Sequence, residues 1–231
     1  MRIAVFGGSF NPIHMGHLAL ADEVCVSLGY DRVIFIPTYI PPHKTFSDTV
    51  SAADRLEMVR LACEGDGRFT VDSCEIDRGG VSYTFDTVSW LEEKYSGTLD
   101  GKIGLVLGDD LLPGFHLWYR AADLAEKCDL ILARRPQLSG RSGAYGSAHA
   151  NTDKGAYAEV SHSTVDESGR KVFDIDSEPL FKGASCIRNP ELAVSSTDIR
   201  ERAASGRAFK YLVPERVFKY IVESNIYGSD R

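Results

Sequence analysis

The chain has 231 residues, 43% of them apolar and 26% charged, with a formal net charge of -7. That length suits one well-buried α/β domain and excludes two large ones. The acidic balance argues against general nucleic-acid or anionic-membrane binding, so a phosphate site must be a local positive spot for a small ligand.

The first element is the apolar run Ile3-Ala4-Val5-Phe6, which reads as a buried strand. It runs into GGSFNPIHMGH, residues 7–17, and then into the helix-like LALADEVCVSLGY. A glycine turn between the carboxyl end of a strand and a helix N-terminus is where α/β sheets bind anions. Gly7 and Gly8 are expected to take positive φ and bring backbone N–H groups close to a phosphate. His14 and His17 are three apart, so a helix starting at Pro12 or Ile13 puts both on one face of its first turn. Two imidazoles titrating near neutrality there can donate hydrogen bonds to one polyphosphate. A capping histidine, a packed core histidine and a metal site are the alternatives, the last without Cys or carboxylate company at ligand spacing.

Arg32–Pro37 is a continuous apolar run of the kind found in a parallel strand covered on both faces, and TYIPPHKTFSD after it is barred from helix by Pro41 and Pro42. Ser51 opens a helix, with Asp54 completing a capping box and Leu56, Val59 and Cys63 on one face. Phe69–Ser73 alternates as a third strand. A glycine loop, DRGGVSYT, then leads into a helix that buries Phe85, Val88, Leu91 and Tyr95. Lys102–Leu107 is the fourth strand and stops at Gly108-Asp109-Asp110; a helix from Trp118 to Lys127 and the strand Asp129–Ala133 follow. Strands alternating with helices at this spacing predict right-handed βαβ units, hence a Rossmann-like, doubly wound, mainly parallel sheet with ligands beyond the carboxyl ends of its strands.

Residues 137–169 are rich in Gly, Ser and Ala, with little periodicity beyond a short strand near Ala156–Val160, and read as a surface insertion in a single domain spanning 1–231. Lys171–Ile175 is expected to return to the sheet as a strand. A helical portion, 195–227, closes the chain: one helix from the SSTDIR stretch to Ser205-Gly206 and another from Pro214-Glu215. Ser195 with Asp198 can be simply a capping box, yet Arg200 near that helix start opposes the dipole and points to a bound anion. The five cysteines are odd in number, widely spaced and without a C-x-x-C pair, so reduced thiols are expected. No apolar run approaches the roughly 20 residues of a membrane span and strand-like sequence at residue 2 leaves no room for a signal peptide, so a cytoplasmic protein is expected.

His14-Met15-Gly16-His17 resembles the (H/T)-x-G-H signature of the nucleotidyltransferase superfamily, whose motif binds ATP or CTP phosphates during attack on the α-phosphorus. SSTDIR, with Val194 before it, resembles the ISSTxIR signature of the adenylyltransferase branch, whereas the RTEGISTS-type motif of cytidylyltransferases is absent. PPHK, DRGGVSYTFDT and LGDDLLPGFHLWYRAADL resemble bacterial nicotinate-mononucleotide adenylyltransferases, and that resemblance extends over nearly the whole chain. The insertion at 137–169 is longer than that family leads one to expect.

The resemblance implies ATP and nicotinate mononucleotide as substrates, deamido-NAD and pyrophosphate as products, and Mg²⁺ carried on the phosphates rather than in a protein metal site. It implies ATP contacts from Gly7, Gly8, Ser9, Phe10, His14, His17, Gly108, Asp109, Ser196, Thr197 and Arg200, with His14, His17 and Arg200 catalytic. It further implies that Lys44, Tyr83, Thr84, Trp118 and Tyr119 bind the mononucleotide, Trp118 by stacking on the pyridinium ring. Read from the residues alone, Lys44 could equally be solvated, Gly108-Asp109 a simple turn and Trp118 part of the core. The other readings are an adenylyltransferase for a different monoester, nicotinamide mononucleotide or phosphopantetheine, and a non-catalytic nucleotide sensor.

Overall fold

The computed structural model describes residues 1–42, 50–134, 163–165, 171–173, 178–188 and 192–228. Six strands form one parallel sheet: β1 (Ile3–Gly8), β2 (Arg32–Pro37), β3 (Phe69–Val71), β4 (Gly104–Gly108), β5 (Asp129–Arg134) and β8 (Ser185–Arg188), in the order β3-β2-β1-β4-β5-β8. β6 (Ser163–Val165) and β7 (Lys171–Phe173) pair antiparallel as a separate two-stranded sheet. The expected return of 171–175 to the main sheet is therefore corrected: β8, a stretch with little strand signature of its own, takes that place beside β5. The strand expected near Ala156–Val160 lies outside the described residues.

Period-two alternation along β1 explains the layers. Ala4 and Phe6 face a core shared with α1 (Met15–Leu28), α2 (Ala52–Cys63), α6 (Ser196–Ala204) and α7 (Glu215–Glu223). Ile3 and Val5 face a second core with α3 (Cys74–Arg78), α4 (Thr84–Tyr95) and α5 (Ala121–Lys127). Both faces are covered, which is why β1, β2 and β5 read as unbroken apolar runs. The closing helices add to the first core rather than forming a body of their own; Val217 and Ile221 of α7 are fully buried in it. Ser51 caps α2 as its sequence predicts, accepting from the Asp54 N–H at 3.0 Å. Trp118 precedes α5 rather than starting it, because Asp109–Leu117 coils as a 3₁₀ helix around Pro113.

This topology fixes where a ligand can sit. β1 pairs with β2 through all six residues to Gly8↔Pro37, but with β4 only at Ala4↔Gly104 and Val5↔Leu105. The strand order reverses at that same pair, so the crevice of a doubly wound sheet opens between Gly7-Gly8 and Gly108.

Candidate functional site

The turn after β1 is built differently from the glycine-driven expectation. Gly7 and Gly8 remain extended in the strand, and the left-handed residue is Phe10, at φ 46°. Gly8 gives clearance instead, since a Cβ there would come to 3.0 Å from the Phe10 ring and press on it. The Asn11–Pro12 peptide is cis, and α1 begins at Met15 with His14 as its N-cap, two or three residues later than the expected start at Pro12 or Ile13.

The two imidazoles still meet. Their rings stack 3.7 Å apart, with the edges of Phe6 and Phe10 closing the other sides of His17. Gly16 sits where a Cβ would come within 3.1 Å of both the His14 ring and Val194, so a side chain there would crowd the stacked pair. His17 does not titrate near neutrality as the sequence suggested. Burial, with His14 adding to it, pushes its pKa well below 6.5, so at pH 7 it is neutral. The His14 N–H donates to His17 Nδ1 at 3.2 Å, which places the ring proton on Nε2. What remains is a neutral, fixed N–H donor at the end of a helix whose first backbone N–H groups lack intrahelical partners.

α6 docks on this turn from the far end of the chain. Arg200 Nη1 donates to the Asn11 carbonyl at 2.8 Å, and Ser196 Oγ donates to the Pro12 carbonyl at 2.9 Å. Ser195 caps α6 by accepting from the Asp198 N–H, so the same stretch that docks on the turn is also a structural cap. Thr197 Oγ1 accepts from Arg200 Nη2 at 3.2 Å, which leaves its own proton for a ligand. Ser196, by contrast, already spends its single hydroxyl proton on Pro12 and acts in this structure as a tether. Tyr227 OH donates to Asn11 Oδ1 at 2.5 Å, completing a clasp around Asn11. A cavity of about 630 Å³ beside Arg200 has Asp54 and Tyr227 among its walls.

The second group of expected residues lies around the loop before α4. Gly79 and Gly80 both adopt φ of +69°, a pairing only glycine takes without strain, and they turn the chain into Ser82-Tyr83-Thr84. Tyr83 is the N-cap of α4 and its ring lies 4.8 Å from that of Tyr119. Tyr119 is half exposed, whereas Trp118 is partly buried against Phe115 at 5.3 Å. Gly108 ends β4 at the crevice, and Asp109 begins the following 3₁₀ helix. Lys44 lies outside the described residues. Among the described residues no three His, Cys, Asp or Glu side chains gather as an ion site; the donors present are imidazole, hydroxyl, guanidinium and backbone N–H, which suit phosphate oxygens.

Sequence reasoning missed several residues that shape the site. Tyr227 carries no motif. Arg55 looks like an ordinary charge on a surface helix, yet it is fully buried and donates to the Ser9 carbonyl at 2.8 Å. Glu75, Ser82 and Thr87 are also buried, and only their place beside a glycine loop hinted at it.

Comparison with known proteins adds a name to this geometry without adding a ligand. A family model described as cytidylyltransferase-like matches residues 5–202. A probable nicotinate-nucleotide adenylyltransferase of Treponema pallidum is 37% identical over 229 residues, covering 99% of this chain and 100% of its own. One from Borrelia garinii is 34% identical over 98% of this chain and 95% of its own. Among solved structures, Plasmodium falciparum nicotinic acid mononucleotide adenylyltransferase complexed with NaAD superposes with a TM-score of 0.67 at 16% identity, over 99% of this chain and 98% of its own. At that identity the likeness shows the fold.

Proposed function

The chain belongs to the nicotinate-nucleotide adenylyltransferases, within the cytidylyltransferase-like family, and from that premise we propose that it transfers the adenylyl group of ATP to nicotinate mononucleotide. The products are deamido-NAD and pyrophosphate, in the synthesis of NAD. The observation that carries the reading is the docking of Arg200 on Asn11, a bond between residues 189 apart that brings the closing motif onto the turn before His14 at the sheet's crevice.

The reaction is a single displacement. A 5′-phosphate oxygen of the mononucleotide attacks the α-phosphorus, a new P–O–P bond forms, and the bond from the α-phosphorus to the bridging oxygen breaks in line to release pyrophosphate. No protein nucleophile is required; the protein aligns two anions and stabilises charge on the transferring group. His17 Nε2–H is the α-phosphate donor, preset by the His14 N–H, with the His14 ring beside it. Arg200 keeps guanidinium protons beyond its bonds to Asn11 and Thr197, and with the Thr197 hydroxyl it serves the β- and γ-phosphates. Ser196 contributes by tethering α6 and through its backbone N–H. Gly7, Gly8, Ser9 and Phe10 form the nucleotide's floor, with Gly108 and Asp109 near its ribose. No cluster of described side chains would hold Mg²⁺; brought in with the nucleotide, the ion would supply charge neutralisation for the departing pyrophosphate.

The nicotinate carboxylate is read by donors of the Tyr83-Thr84 turn, the ring by Trp118 with Tyr119 alongside, and Lys44 serves the mononucleotide phosphate. The whole chain acts as one nucleotidyltransferase unit with a small-molecule, cytoplasmic role and no nucleic-acid partner. Pyrophosphate release, measured with ATP and a panel of nicotinate mononucleotide, nicotinamide mononucleotide and phosphopantetheine, tests the assignment. Fastest release with nicotinate mononucleotide supports it; faster release with either of the others, or none with any, overturns it.

A further inference from the structure

The segment Thr38–Ile40, just after β2, is bonded on both sides. On one side the Thr38 N–H donates to the Gly8 carbonyl at 2.9 Å, joining it to the nucleotide turn. On the other, Ile40 bridges to Val81, and the Ser82 N–H donates to the Ile40 carbonyl at 2.9 Å, joining it to the loop before Tyr83 and Thr84. One short piece, bent at Tyr39, therefore touches both turns to which the two substrates are assigned.

Two buried charged residues grip it. Arg55, fully buried in α2, places Nη1 on the Ser9 carbonyl at 2.8 Å and Nη2 on the Tyr39 carbonyl at 3.4 Å, so its fork spans the nucleotide turn and the segment. Burying a guanidinium is unfavourable compared with an apolar side chain of similar size, and its planar fork is what a lysine cannot reproduce. From the other side, the Tyr39 N–H donates to Ser82 Oγ at 3.1 Å. Beneath Ser82 lies the buried Glu75 carboxylate, which accepts from Thr87 Oγ1 at 2.7 Å and lies close to the Ser82 hydroxyl and the Tyr39 N–H. Of these the Thr87 bond is the well-formed one, since Glu75 Oε2 lies outside good hydrogen-bond geometry. Arg78 Nη2 donates to Thr87 Oγ1 at 3.2 Å, closing the cluster on α3 and α4.

We propose that Thr38–Ile40 is a rigid spacer that sets the distance between the nucleotide turn and the mononucleotide turn, with Arg55 and Glu75 as the positioning residues that hold it. The inference rests on the functional reading above, because only a reaction between two bound substrates makes the spacing of two turns matter. An in-line displacement is steep in the approach of the attacking oxygen, so a loosened spacer costs turnover before it costs binding.

The test compares Ser82→Ala, Glu75→Gln, Arg55→Lys and the double variant Arg55→Lys/Ser82→Ala with the wild type. Three quantities are read: kcat with ATP and nicotinate mononucleotide, the Kd of each substrate alone, and the thermal midpoint. Expected are binary Kd values within about threefold of wild type and kcat reduced about tenfold or more. The double variant should lose less than the product of the single losses, because either change releases the same spacer. Wild-type kcat in Ser82→Ala and Glu75→Gln, multiplicative losses, or full kcat in Arg55→Lys would overturn the proposal. Should Arg55→Lys not fold, the Ser82 and Glu75 variants decide by kcat against Kd. A wild type inert toward nicotinate mononucleotide sinks the functional reading and this inference with it; an active wild type matched by its variants sinks the inference alone.

Discussion

The backbone N–H of His14 donates to Nδ1 of His17 at 3.2 Å, so the helix N-cap dictates which nitrogen of the neighbouring imidazole carries its proton. The bond also explains the exact spacing of the pair, since a capping box needs its second member three residues after the cap. A neutral ring oriented this way can donate to an anion without first having to be protonated.

Removing that donor should be costly for chemistry. His17→Ala is expected to lower kcat by about 10²–10³, the scale of losing one preorganised donor, with the fold retained. Steady-state kinetics beside circular dichroism check it; near-normal turnover would take His17 out of the mechanism.

The depressed pKa of His17 also has a stability consequence. The unfolded chain binds a proton at this residue near 6.5 while the folded chain resists it, so the contribution is fully present above 6.5 and is lost as pH falls toward the lower folded value. The slope is at most about 1.4 kcal/mol per pH unit. Urea unfolding between about pH 8 and pH 5 should show a wild-type decline that His17→Gln flattens. Parallel curves would contradict it.

The Asn11 clasp should tune nucleotide affinity. Tyr227→Phe deletes the hydroxyl that donates to Asn11 Oδ1 and should cost about 1 kcal/mol of stability. It should raise KM for ATP severalfold and leave KM for the mononucleotide unchanged, because the clasp holds the turn shared with Arg200. An effect confined to the mononucleotide would contradict this placement.

Much of this was legible in the chain because it depends on local chemistry. The apolar runs 3–6, 32–37 and 129–133 are strands because both their faces are covered, and Ser51 and Ser195 cap the helices they precede. What was hidden depends on long-range packing. β8 is a strand through its pairing with β5 rather than its composition, and Trp118 leaves its expected helix because the preceding Pro113 segment coils as 3₁₀. The burial of Arg55 and Glu75 and the reach of Tyr227 to Asn11 have no local signature at all. The depressed pKa of His17 likewise comes from Phe6, Phe10 and His14 closing round it, which spacing alone does not show.

The thiols divide sharply. Burial pushes Cys63, Cys74 and Cys128 up to about 12 and raises Cys25, while Cys186 is exposed. A disulfide reagent at neutral pH should therefore titrate one thiol quickly and the other four only on unfolding. Two or more fast thiols in the native protein would contradict the burial of the four.

For the second substrate, Trp118→Ala should weaken nicotinate and nicotinamide mononucleotide alike and leave ATP affinity nearly unchanged. The acid should be preferred about 10- to 100-fold in kcat/KM, because an amide N–H₂ meets donors aimed at a carboxylate. Equal values for acid and amide, or a large loss of ATP binding in Trp118→Ala, would contradict the placement.

The central claim is that the site works by alignment, with one direct attack on the α-phosphorus and no enzyme-bound adenylyl group. The most direct measurement is the stereochemical course of the reaction with ATP carrying sulfur at the α-phosphorus in a single configuration. One in-line displacement inverts that phosphorus, and the account predicts complete inversion in the dinucleotide formed. Retention would require two displacements through a residue of the protein and would contradict it.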